Sequence, residues 1–201
     1  WPSFTSFRKS FVHCTDKLDI MKKTNMTPTF LFVLLMAIGS SVNAQEFSKL
    51  DKSSMDIASF PTSYKDANKQ MKVIYSRPQL KGRKLSKLAP NGKVWRTGAN
   101  EAPELVLYKD FNLNGTQIKA GRYALLTIPG EKEWTVILNS DLNTWGSYYY
   151  NEENDVARIT VSNTYVNDSL EAFSIALEGE DGNVTLYIGW DTLRVSVPFT
   201  K

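Results

Sequence analysis

Arg96, Asn100 and Glu101 sit inside the stretch VWRTGANEAPELVLYKD, Val94 to Asp110, whose two ends carry the apolar, β-branched pattern of buried sheet. A guanidinium is a forked donor suited to carboxylates, phosphates or sugar hydroxyls. Asn100 adds an amide and Glu101 a carboxylate. Gly98 and Ala99 between them let the backbone bulge or let something approach closely. Arg77, just ahead of Pro78, and Arg83, in the KGR at 81–83, can bring further guanidinium groups to the same rim. A second set is aromatic: Trp95 and, within TWGSYYYNEEND at 144–155, Trp145, Tyr148, Tyr149 and Tyr150. Their rings pair an apolar face with a polar tip, as the stacking platforms of sugar-binding sandwiches do. These ten residues form the expected ligand-binding rim. The same residues also admit structural roles. An Arg96–Glu101 ion pair would pin a bulge beside a turn capped by Asn100, and the tyrosines would plug an open end of the sheet.

The leader decides which other chemistry is available. From Met21 the chain reads MKKTNMTPTFLFVLLMAIGSSVNAQ, with Lys22 and Lys23 before a short apolar run and Val42-Asn43-Ala44 at its end. This pattern predicts a signal peptide over 21–44, cleaved after Ala44, and a periplasmic or extracellular mature protein with no transmembrane segment. Residues 1–20 are expected to lie upstream of the true start. The sole histidine, His13, and the sole cysteine, Cys14, both precede that cleavage site. A mature chain without them has no Ser-His-Asp or Cys-His catalysis, no disulfide, and no His- or Cys-ligated metal or haem. Removing the leader's five basic and two acidic residues from 24 and 21 leaves 19 of each, so total charge gives no argument for nucleic acid. The acidic groups Glu152, Glu153, Asp155 and Glu178, Glu180, Asp181 lack a recognised calcium-loop spacing, and no metal or cofactor is expected. Among acids and bases, Glu101 and Glu104 are the nearest carboxylate pair for glycoside hydrolysis.

Positioning these residues falls to strands. MKVIYS (71–76), ELVLYK (104–109), GRYALLTIPG (121–130), EWTVILN (133–139), DVARITVS (155–162), EAFSIALE (171–178), NVTLYIGW (183–190) and TLRVSVP (192–198) are short, β-rich and separated by turn signals such as Pro129-Gly130 and Asp181-Gly182. The expectation is an all-β, single-domain antiparallel β-sandwich with jelly-roll-like connections over 71–201, a closed barrel being second. Residues 45–70, mixed and polar around the apolar MDIASFP, are expected to form an N-terminal extended arm that docks on this body.

YSRPQLKGR (75–83), NGKVWRTGANEAPEL (91–105), KAGRYALLTIPGEKEWTVILN (119–139), WGSYYYNEENDVARITV (145–161) and DTLRVSVP (191–198) resemble the family called domain of unknown function 2911 over about 70–199. The resemblance implies a signal-bearing, β-rich, periplasmic or surface protein of a kind frequent in Bacteroidetes. It brings no catalytic residues. Three functions fit these residues. The first is a non-catalytic module that binds a small polar ligand or glycan. The second is an envelope structural or protein-interaction domain. The third is a carboxylate-dependent glycan hydrolase.

Overall fold

Alternation of apolar and polar residues makes the strands, and chain order sets most of their pairing. The structure, a computed structural model, describes residues 45–201; the expected leader, His13 and Cys14 lie outside the described residues. Strands β1 (Met55–Phe60), β2 (Met71–Ser76), β3 (Glu104–Leu107), β6 (Gly121–Ile128), β7 (Glu133–Asn139), β8 (Asp155–Glu180) and β9 (Asn183–Phe199) form one antiparallel sheet in the order β1-β2-β3-β6-β7-β8-β9. Neighbours in the sheet are also neighbours along the chain, except that the small hairpin of β4 (Phe111–Leu113) and β5 (Thr116–Ile118) intervenes between β3 and β6. One helical turn, α1 (Leu85–Leu88), precedes the Arg96 loop. The expected all-β architecture is the one observed, an antiparallel sandwich or near-barrel. The apolar island of the 45–70 segment is β1, an edge strand whose Met55 and Phe60 lie opposite Ser76 and Met71 of β2.

Two strands read from the sequence as DVARITVS and EAFSIALE are one, β8, and NVTLYIGW and TLRVSVP likewise join as β9. The polar stretch between the halves of β8 reads as a loop, yet it stays extended because it has partners. Asn163, Thr164 and Tyr165 pair with Val195, Arg194 and Leu193. The register then slips between Tyr165 and Leu170, and again between Leu170 and Ser174. Arg194 spans the first slip by donating from Nη2 to the Asp168 carbonyl at 2.8 Å and from Nη1 to the Asp191 carbonyl at 2.9 Å. These bulges bend β8, so its first half ladders with β7 and its second half only with β9.

The bend brings the second half of β8 against the segment that follows β2. Leu80 N–H donates to the Glu171 carbonyl and Phe173 N–H to the Pro78 carbonyl, both at 2.9 Å. Arg77 reinforces this closure. Its guanidinium donates to the Phe173 carbonyl (3.0 Å), Ser174 Oγ (2.7 Å) and Asp56 Oδ2 (2.9 Å). Inside the curved sheet lies the main core, built from alternating strand residues such as Phe173, Ile175 and Leu177 of β8 and Val184, Leu186, Ile188 and Trp190 of β9. Its aromatic centre is Trp95, stacked on Trp190 with centroids 5.7 Å and planes 14° apart, and edge-on to Trp134 and Phe173. A smaller cluster on the opposite face of β6 and β7 buries Ala124, Leu126 and Ile137.

Candidate functional site

That smaller cluster is what positions the site. Val94 and Ala102 from one loop and Tyr150 from another pack on it, so both loops are laid over the outer face of β6 and β7. The first loop starts as a strand: Trp95 N–H donates to the Thr127 carbonyl at 2.7 Å and Thr127 N–H returns to Trp95 at 2.9 Å. The chain then turns through left-handed backbone at Thr97 (φ 55°) and Asn100 (φ 62°). A β-branched residue in that region is strained. Thr97 is held there, fully buried, by donation from its Oγ1 to Thr127 Oγ1 at 3.1 Å.

Backbone bonds pin the second loop to the first. Glu101 bridges Trp145 in antiparallel fashion. Gly146 N–H donates to the Asn100 carbonyl at 3.0 Å, and Ala102 N–H to the Thr144 carbonyl at 3.1 Å. Ser147 Oγ donates to the Val94 carbonyl at 2.9 Å. At the centre stands Gly146 (φ 69°), buried, where a Cβ would come within 2.9 Å of the Tyr148 ring and 3.7 Å of Arg96 Nη1. Glycine lets the Tyr148 ring lie this close to the left-handed backbone, whereas Arg96 Nη1 would keep ordinary van der Waals contact with a Cβ.

Arg96 is half-buried, and its Nε is sealed from solvent without a hydrogen-bond partner. The ion pair with Glu101 expected from the sequence does not form: among the described residues Arg96 takes part in no salt bridge, and Glu101 is exposed. The two left-handed residues explain this, since they turn Glu101 outward onto the Trp145 strand while Arg96 lies over Gly146. The loop that carries Gly146 is aromatic and open to solvent. Trp145, Tyr148 and Tyr149 are exposed to 58%, 78% and 76%.

Backbone bonds bring Asn100 and Glu101 against Trp145 and Gly146, and Arg96 Nη1 and the Tyr148 ring both lie at Gly146, while Tyr149 is exposed on the same loop. Four other expected rim residues have engagements of their own. Trp95 is the buried centre of the aromatic core. Arg77 is committed to closing β8 onto β2. Arg83 folds back on its own loop, donating to the Leu80 and Gln79 carbonyls at 2.9 and 2.7 Å. Tyr150 turns under the loop, donating from Oη to Asp155 Oδ2 at 2.7 Å and accepting from Arg158. Burial, then the Asp155 bond, pushes its phenol up to about 12. Arg158 also grips Asp155 at 2.5 Å and Glu152 at 3.1 Å, which anchors the far end of the tyrosine loop. Sequence reasoning did not single out Thr97, Gly146 or Ser147; the adjacency of Gly to Trp145 was the one legible signal.

The carboxylate pair has a different setting. Glu101 and Glu104 line one small pocket of about 70 Å³ with Ser76, Pro103 and Leu142. Glu104 accepts two bonds from Arg122, at 2.5 and 2.6 Å, which keep its carboxylate occupied. A second, roomier cleft of about 290 Å³ lies between Leu85, Ala89, Trp134 and Leu193 and carries Glu131, Tyr165 and Asp191 at its edge. Its lining comes from four separate chain segments, so no local motif announces it. Among the described residues no cluster of three His, Cys, Asp or Glu could hold a metal ion, and no helix is long and apolar enough to cross a membrane.

The family described as Protein of unknown function (DUF2911) matches residues 59–199. No curated protein and no solved structure matches the chain.

Proposed function

The chain belongs to the DUF2911 family, and from that premise we propose that it is an exported, non-catalytic binding protein that takes a small polar ligand or glycan on the Arg96–Trp145 face. One observation carries the reading: a guanidinium that is half-buried and without a partner among the described residues lies at Gly146, in a doubly pinned loop whose Trp145, Tyr148 and Tyr149 rings are exposed. Aromatic rings exposed to that extent cost hydration without contributing to the core, and the strained Thr97 backbone beneath them is held by the fold rather than preferred locally. The hydrolase reading has less support, because Glu104 is already held by two bonds from Arg122. The interaction-domain reading keeps one observation in its favour, the same exposed rings, since tyrosine and tryptophan also anchor protein interfaces.

The test is a thermal-shift screen of the processed protein against oligosaccharides, small carboxylates and divalent ions. A ligand present at a hundred times its Kd stabilises by about 2.7 kcal/mol, which raises Tm by roughly 5–10 °C in a domain of this size. The shift should vanish in Arg96→Gln and Trp145→Ala. A screen in which no sugar or carboxylate shifts the wild type, while a protein partner from the same cell envelope binds the Tyr148–Tyr149 loop, would move the assignment to an interaction domain. Export is tested separately: the mature protein should be recovered outside the cytoplasm with Gln45 at its N-terminus.

A further inference from the structure

We propose that the ligand of this face is an acidic sugar, one whose ring stacks on Trp145 and Tyr148 and whose ring carboxylate meets Arg96. This rests on the binding reading and adds to it the chemical class of the ligand. The arginines differ in one respect, their partners. Arg77, Arg83, Arg122, Arg158 and Arg194 each donate to a carboxylate, hydroxyl or carbonyl of the chain. Arg96 alone among the described arginines donates to nothing and has no carboxylate within salt-bridge range. This fold finds partners for its guanidinium groups even at exposed positions, as the Arg122–Glu104 pair shows. A half-buried cation left unmatched is a site for an anion from outside.

Geometry narrows the anion. Nε is sealed, so a ligand meets the guanidinium end-on, at Nη1 and Nη2, a fork that fits the two oxygens of a planar carboxylate. Nη1 lies beside Gly146, over which the Tyr148 ring also reaches, so the carboxylate and the stacking surface are separated by little more than one residue. A carboxylate attached directly to a sugar ring spans such a distance. Glu101, exposed and bridged to Trp145, supplies the remaining constraint. Its negative charge opposes densely charged ligands such as polyphosphates or polysulfates, while its oxygens accept bonds from ring hydroxyls. One carboxylate on a sugar ring, with hydroxyls beside it, satisfies all three features.

The experiment compares trigalacturonate with galactotriose, which differ at each sugar by a carboxylate against a hydroxymethyl group, by isothermal titration calorimetry on the processed protein. Trigalacturonate should bind at least tenfold more tightly, and Arg96→Gln should bring the two affinities level. Glu101→Gln, on an exposed side chain and so safe for folding, should raise the ratio of trigalacturonate to galactotriose affinity by several-fold. Equal affinity for both sugars in the wild type overturns the acidic-sugar inference and leaves the binding reading standing. Absence of binding to trigalacturonate, galactotriose and every other sugar and carboxylate screened overturns both. Preference for the acid that persists unchanged in Arg96→Gln overturns the assignment of the carboxylate to Arg96.

Discussion

Tyr75 and Ile175 are tied twice: the Tyr75 hydroxyl donates to the Ile175 carbonyl at 3.3 Å and accepts the Ile175 N–H at 3.0 Å. The two residues lie on β2 and on the second half of β8, so one buried phenol joins strands far apart along the chain. Tyr75 also meets Phe173 edge-on, with centroids 5.8 Å apart. Replacing it with phenylalanine keeps the ring and leaves the Ile175 N–H without a partner. Tyr75→Phe should cost about 1–3 kcal/mol, a fall in Tm of roughly 3–10 °C, measured by calorimetry at neutral pH.

Alkaline pH offers a second measurement. Burial raises Tyr75 above the ordinary tyrosine value, and Tyr150 is pushed up to about 12, first by burial and then by its bond to Asp155. A phenol whose folded value exceeds its unfolded one contributes stability that is complete below about pH 10 and is lost as pH rises toward the folded value. Stability should therefore fall between about pH 10 and pH 12. In Tyr150→Phe the slope over this window should be shallower, and the last-titrating tyrosine absorbance should disappear from the ultraviolet titration.

The two tryptophans nearest the site should behave oppositely. Trp95 is enclosed by Trp134, Phe173 and Trp190, so Trp95→Ala should cost about 3–5 kcal/mol. Trp145 is 58% exposed, so Trp145→Ala should change stability by no more than about 0.5 kcal/mol. Urea unfolding of the two variants checks the difference, and near-neutral stability for Trp95→Ala would dissolve the aromatic core.

Gly146 ties stability to the binding face. An alanine there would hold left-handed backbone and press a Cβ against the Tyr148 ring at 2.9 Å. Gly146→Ala should cost about 1 kcal/mol and swing the exposed Tyr148 ring away from the Gly146 backbone. Ligand binding should weaken more than the small loss of stability explains. A crystal structure of the variant with Tyr148 unmoved would contradict the close seating of that ring on the Gly146 backbone.

Alternation made the strands legible. Phe173, Ile175 and Leu177, or Leu193, Val195 and Val197, could be assigned to the core one by one because an extended chain sends alternate side chains to opposite faces. The same rule separates Trp95 from Arg96. Trp95 pairs with Thr127 as a strand residue, so its ring enters the core while the next side chain leaves it, and the two cannot line one rim. What periodicity does not carry is partnership between distant segments. Arg77 reads as a rim cation until β8 bends back to offer Ser174 and the Phe173 carbonyl. The polar middle of β8 reads as a loop because its ladder with β9 contributes through backbone bonds, which leave no apolar signature. Trp145 and Glu101 were legible as unusual, whereas the bridge that joins them is a property of the folded backbone alone.

The bend of β8 also sets an order of events. Its latter half needs Pro78 and Leu80 on one side and Asn183 to Gly189 on the other, so the curved sheet cannot shut until synthesis has passed Gly189. Contacts between segments so remote along the chain make folding slow. A nascent chain with that requirement keeps the seam between the Pro78–Leu80 segment and the latter half of β8 unsealed until its last strand has been made.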